Sequence, residues 1–307
     1  MPNRLRLVLP ALSAVALLAS APAAHAKVNK DPRFLEVYDA NVENLPNPGD
    51  KCPARWQGLV AAIKARKVAP DVLTVEQLSG TAQVNAYAAY LSQQLGGSFA
   101  AVIAKGSPKP MKSPCGKAKR YQTNAIFYRP GRLEPIPGTV GRWQADHLSK
   151  GHCHDNTQDR SIGVRQLFFD KRANKLVTIG VTHWPTAQSH GTPCATENAR
   201  ETISMMGRYG SDLRIFGGDF NVTPTRGGPW YARLTGKHHY GDAICPHNGK
   251  ICSAGNWTSG GGRRIDMLFA KRGDGSPAAS TDPHTITTQE AGGRYSDHRA
   301  IFARVHF

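Results

Sequence analysis

IFGGDFNVTP, Ile215 to Pro224, carries an apolar strand through two glycines into a turn and ends at a proline. Between the glycines and Pro224 stand Asp219 and Asn221, a carboxylate and an amide two residues apart. In extended chain such a pair projects to one side, yet both residue types are also common turn formers. Whether they close a turn or hold something depends on what the rest of the chain brings beside them.

The opening stretch, MPNRLRLVLPALSAVALLASAPAAHA, places Arg4 and Arg6 before an apolar run from Leu7 to Leu18 and ends on Ala24-His25-Ala26. That layout is a secretory signal over residues 1–26, with cleavage expected after Ala26. The run is short and interrupted by Pro10, which argues against a membrane anchor. The 307-residue chain has a formal net charge of +17, and loss of Arg4 and Arg6 leaves +15. An exported protein this basic ranks polyanions first among partners: nucleic acid, cell-wall polymer or anionic lipid. All six cysteines, Cys52, Cys115, Cys153, Cys194, Cys245 and Cys252, follow the signal, and an even number in an exported chain points to three disulfides. Sequence proximity suggests Cys245–Cys252, leaving Cys153–Cys194 and Cys52–Cys115, out of fifteen possible connectivities. GHCHDN (His152, Cys153, His154) has no second Cys/His cluster at ligand spacing, so a disulfide is expected there and not zinc.

The rest, residues 27–307, reads as one domain without repeats. FLEVYDANV (34–42) alternates apolar and polar residues as a strand does, and DVLTVEQL (71–78) is a buried strand. Between them ARWQGLVAAIKARK places Trp56, Leu59, Val60 and Ile63 at helical spacing; AQVNAYAAYLSQQLG is a second helix, ended by Gly96. SFAAVIAK, YQTNAIFYRP, RLEPIP, IGVRQLFFD and KLVTIGVTHWP follow as strands. CATENARETISMMGRYG is a helix, LRIFGGDF a strand, PWYARLTG a short helix, and RRIDMLFAKR and RAIFARVHF are late strands. Hairpin-rich stretches alternate with crossovers, so the sheets should be mixed. The expected fold is α/β (α+β): two packed mixed sheets flanked by helices, a four-layer α-β-β-α sandwich. Gly106–Lys119, basic and rich in Pro and Gly, reads as an exposed loop.

Polar residues recur where these strands end, the places from which distant parts of a chain converge on one rim. Asn41 ends the first strand, Glu76 nearly ends DVLTVEQL, and His183 lies near the end of its strand. Asp219 and Asn221 follow RIFGG, Asp266 lies within RRIDMLF, and Asp297-His298 opens the last strand. Singly, most have dull explanations as turn formers or satisfied core groups. Asp266 is harder to dismiss, because an acid among Ile265, Met267, Leu268 and Phe269 is costly to bury without a partner. Together the oxygens suit a hard cation such as Mg2+, with Mn2+ or Ca2+ as alternatives. A histidine fixed by a buried acid suits proton transfer near neutral pH. Such a kit fits attack of water on a phosphodiester.

In this order the motifs resemble those of the endonuclease/exonuclease/phosphatase superfamily, with its deoxyribonuclease-I-like fold. NVENL resembles its first Asn motif, DVLTVEQL its Gln-Glu motif, VTHWPT its Thr-His motif and GGDFNVTP its Gly-Asp-Phe-Asn motif. RRIDMLF resembles its Asp-bearing strand, and YSDHRAIFARV its closing Ser-Asp-His motif. The resemblance implies Glu76 as principal metal ligand, assisted by Asn41 and Asp297. It implies Asp219 and Asn221 orienting water and contacting the scissile phosphate, and His298, held by Asp266, as base or transition-state stabiliser. His183 would serve the leaving oxygen or bind phosphate. Two departures stand out. Val75 replaces the Gln before Glu76, and Gln122 stands where pancreatic-type deoxyribonucleases carry a Glu supporting the middle histidine.

The superfamily cuts several phosphoesters, so fold does not give substrate. Export and charge favour a polymeric polyanion, and the expected activity is a secreted metal-dependent endonuclease, either DNA-preferring or sugar-nonspecific and so cutting RNA too, acting as a monomer. Arg120, Arg160 and Arg165 are expected to line the cleft, and Trp184, directly after His183, could stack on a base or pack at the rim. A secreted sphingomyelinase would share the catalytic set but should expose an apolar hairpin to lipid. A basic binding protein without activity is the non-enzymatic alternative, and the intact acidic and imidazole set speaks against it.

Overall fold

Period-two alternation sorts the strand residues of this computed structural model into three apolar layers, and those layers fix the architecture. The structure describes residues 27–43, 55–111, 120–146, 153, 156–186, 191–226, 228–245 and 256–307. The expected signal, most of the basic loop, and Cys52, Cys115 and Cys252 lie outside these residues.

In chain order the elements are β1 (Lys27–Val28), β2 (Phe34–Asn41), α1 (Trp56–Ala65), β3 (Val68–Ala69), β4 (Val72–Leu78), α2 (Thr81–Leu95), β5 (Ala100–Ile103) and β6 (Thr123–Tyr128). There follow β7 (Leu133–Pro135), β8 (Gly141–Gln144), β9 (Ile162–Asp170), β10 (Lys175–His183), α3 (Gly191–Met206), β11 (Leu213–Asp219) and the short α4 (Trp230–Ala232). The chain closes with β12 (Gly241–Asp242), β13 (Asp266–Arg272), β14 (Ser280–Thr285) and β15 (Ile301–His306). One six-stranded sheet runs β14-β15-β2-β4-β6-β5. The seven-stranded sheet runs β12-β13-β11-β10-β9-β7, with β8 also on β9. Each is antiparallel except for a single parallel step, β2–β4 in the first and β10–β11 in the second. Parallel neighbours need a crossover; α1 provides it in the first sheet and α3 in the second.

Leu35, Val37 and Val72 of the first sheet meet Val177, Ile179, Ile215 and Leu268 of the second in the middle layer. The alternate residues, Tyr38, Leu73 and Phe127, pack beneath α1 and α2 against Leu59, Ile63, Tyr87 and Leu91. Phe216, Phe220 and Phe269 pack beneath the other helices with Ala199, Met206 and Trp230. Each such side chain contributes about 1.5–3 kcal/mol on full burial. The expected α-β-β-α sandwich of mixed sheets is the one observed. The strand Ser280–Thr285 escapes sequence reading because STDPHT has no apolar alternation; it is the edge strand, where Pro283 removes no needed ladder bond. Cys153–Cys194 is formed, joining α3 to the segment before β9. Cys245 is also disulfide-bonded, to a residue outside those described.

Candidate active site

The parallel steps bring four of the expected residues to one end of the sandwich. Asn41 is in register with Glu76 across β2–β4, and His183 with Asp219 across β10–β11, all at carboxyl ends of strands. Asp219 in turn faces Asp266 across β11–β13, and His298 bridges to Ser259 just before β15. Parity explains why their side chains converge. In β2, β4, β11 and β13 each of these residues continues the face that supplies the middle layer: Val37 then Asp39 and Asn41, Val72 then Thr74 and Glu76, Ile215 then Gly217 and Asp219, Leu268 then Asp266. β10 does the same with Val181 and His183.

One side of the cluster is made of oxygens. Glu76 is fully buried, and neither carboxylate oxygen meets a hydrogen-bond donor among the described residues. Asp39, equally buried, accepts the Thr74 hydroxyl on Oδ1 at 2.6 Å, while its Oδ2 has no donor. Asp39, Glu76 and Asp266 each place an oxygen within 4.8 Å of the others. Burial, aggravated by the neighbouring acids, pushes the Asp39 and Glu76 pKa values well above the carboxylate range. Unpartnered buried oxygens of this kind are what a hard divalent cation requires, and the residues fit one.

The other side pairs imidazoles with acids. His298 Nδ1 lies 2.8 Å from Asp266 Oδ2, whose backbone N–H in turn donates to Thr258 Oγ1. Burial opposes charge on His298, but Asp266 and Asp219 outweigh it and push its pKa up to about 10. Burial also raises Asp266, to about 6, against the pull of His298. His183 behaves oppositely: burial takes its pKa down to about 4 despite Asp219, and Arg160 and His298 push the same way. Asp219 Oδ2 lies between the two rings, 3.5 Å from His183 Nε2 and 3.7 Å from His298 Nε2, and accepts the Asn41 amide at 3.1 Å.

Turn former and cluster member prove to be the same residue. Asp219 Oδ1 accepts the Asn221 N–H at 2.8 Å, closing an Asx turn, while Oδ2 faces the cluster. Asn221 sits at φ 53°, a left-handed position that Asn tolerates, so the extended alternation stops there. Its amide donates to the Trp184 carbonyl instead of continuing the Asp219 face, a correction to the expected parallel pair. Gly218 is required, since a Cβ there would overlap the Thr182 carbonyl.

The remaining candidates separate. Arg160, half-buried before β9, is near enough for its charge to act on Asp219 and His183. Asp297 is exposed and stands outside the buried oxygen group. Arg120 is also exposed, its Nε on the Met111 carbonyl. Arg165 and Trp184 do not line the cleft. Each has the wrong parity: Val164 and His183 face the middle, so their successors face outward. Arg165 is buried over the Tyr209 ring and donates to the Thr139 carbonyl. Trp184 is fully buried against Phe220 and Trp230. Gln122 donates to Gln77, while His183 Nδ1 has no hydrogen-bond partner among the described residues. Sequence reading also passed over Asp39 and a groove of about 660 Å³ beside His298, lined by Trp257, Arg294, Asp297 and Arg299. There the Arg299 guanidinium lies 3.2 Å from the centre of the Trp257 ring.

No protein-family model and no curated protein matches this chain. Solved structures do. An endonuclease/exonuclease/phosphatase from Bacteroides vulgatus superposes with a TM-score of 0.64 at 17% identity, covering 89% of this chain and 99% of its own. The human Nocturnin catalytic domain with bound sulfate gives 0.61 at 16%, covering 90% and 95%. D. rerio TDP2 in complex with a single-strand DNA product gives 0.55 at 15%, covering 89% and 99%. At these identities the likeness is one of fold.

Proposed function

We propose, from the endonuclease/exonuclease/phosphatase fold that this chain has, that it is an exported, divalent-metal-dependent phosphodiesterase that hydrolyses nucleic acid. One observation carries the reading: donor-free carboxylate oxygens lie beside an acid-bound imidazole pair at a single rim. A pocket built for binding alone has no need of two histidines whose basicities are pushed apart in this way.

Glu76 and Asn41 would hold the cation, which when bound supplies charge neutralisation at the phosphate and polarises its oxygens. Asp266 favours the charged form of His298, which suits its Nε2 to donate to a phosphate oxygen more than to act as the base. Asp219, flanked by both rings, is placed to orient water and take its proton. His183 stays neutral at pH 7 and can relay the proton, taking it from Asp219 at Nε2 while its Nδ1–H goes to the leaving oxygen. Arg160 adds positive charge beside Asp219 that stabilises an incoming phosphate.

A polymeric substrate is supported by the charge left after signal removal and by the groove at His298, whose cation-on-indole pair can receive a base. The DNA held by the TDP2 relative is in keeping with this. A lipid substrate is less favoured, because among the described residues the exposed large hydrophobics are Tyr121 and Val140, not an apolar hairpin. Export is supported by the Arg4–Ala26 layout and by the Cys153–Cys194 disulfide. The test is to incubate purified protein with plasmid DNA, RNA and sphingomyelin, with Mg2+ or EDTA. Mg2+-dependent strand cleavage is expected; choline-phosphate release without it would overturn the nuclease reading.

A further inference from the structure

Several buried acids elsewhere among the described residues are given guanidinium partners. Asp71 and Asp170 share Arg132, Asp242 takes Arg264, and Glu36 takes Arg304. In the cluster, Asp266 and Asp219 are matched by imidazoles and the Asn41 amide. Asp39 and Glu76 break the pattern. Asp39 receives the Thr74 hydroxyl, and its carboxyl and that of Glu76 are left to each other; among the described residues no guanidinium, ammonium or imidazole answers either, and the charges acting on both come from other acids. A threonine or an apolar residue would fill the Asp39 position at lower cost. The second sheet nonetheless makes room for the acid: a Cβ on Gly217 would overlap Asp39 Oδ1 and the Thr74 hydroxyl. Asp39 lies on the same face of β2 as Asn41, one step deeper, and one of its carboxylate oxygens stands within 4.8 Å of oxygens of Glu76 and Asp266.

We propose that Asp39 is a second carboxylate ligand, with Glu76, for the divalent cation. The inference rests on the metal-dependent reading above and adds what that reading leaves out: two formal charges against the cation on the first sheet alone. Ligand charge count governs affinity for hard cations, so this chain should take up its metal before substrate arrives.

Titration calorimetry of the purified protein with MgCl2 and with MnCl2 tests it. Asp39→Asn keeps an acceptor for Thr74, and its affinity for either cation should fall about tenfold or more. Its metal-free melting temperature should not drop, since an acid crowded against Glu76 and Asp266 is removed, while the rise on adding Mg2+ should shrink. Asp39→Thr should follow the same pattern and replaces Asn if that variant does not fold. Unchanged affinity, or a lower melting temperature with the full Mg2+ rise retained, would reduce Asp39 to a partner of Thr74 and overturn the proposal. A wild-type protein that takes up neither cation would overturn the metal-dependent reading as well, a result distinct from the former.

Discussion

The two parallel strand steps, β2–β4 and β10–β11, occupy matching places in their sheets and present opposite chemistry at their ends. The first ends in Asn41 and Glu76 over Asp39, where among the described residues no cationic side chain answers the two carboxylates. The second ends in His183 and Asp219, where both carboxylate oxygens have partners and the imidazoles are tuned apart. The sandwich therefore supplies the convergence, while the residue at each strand end decides whether a half is suited to a cation or to protons and phosphate. Stability comes from the layers below, where the same strands turn apolar.

If that division holds, the largest effects lie in the second half. His298→Ala and Asp219→Ala should each lower kcat by about a thousandfold or more while leaving metal uptake intact, as read by turnover and calorimetry on one preparation. Next comes the contrast between adjacent residues. Trp184→Ala should cost about 3–5 kcal/mol in denaturant unfolding with KM unchanged in the folded enzyme, because the indole is core and not cleft. Retained stability with a raised KM would restore a stacking role.

His183 gives a smaller effect with a definite sign. Its folded pKa of about 4 lies below the ordinary histidine value of 6.5, so between these the unfolded chain binds the proton first. Stability should fall as pH drops from 6.5 towards 4, by up to about 3 kcal/mol, and His183→Gln should flatten that slope. Arg160→Ala should be mildest, lowering kcat/KM and reducing the slope of log affinity against log salt by about one.

Much of this was legible before the fold was. Asn41, Glu76, Asp219 and His298 stand out because each lies at or near the end or the start of an apolar strand, and polar groups there have to be accounted for. What failed was parity. Arg165 and Trp184 are one residue from the inward face, and one residue in a strand means the opposite side of the sheet. Asp39 went unread because FLEVYDANV looked like a half-solvated strand, whose acids need no explanation; β2 lies between neighbours with both faces covered. The Trp257–Arg299 groove is assembled by loops distant in sequence, and no local pattern announces it.

The division between halves is tested most directly by titrating Mn2+ into the wild type, Glu76→Gln and His298→Ala proteins and assaying the same samples on DNA. Glu76→Gln should lose both metal uptake and cleavage, while His298→Ala should bind Mn2+ as the wild type does and fail to cut. Metal uptake retained in Glu76→Gln, or lost in His298→Ala, would contradict the account.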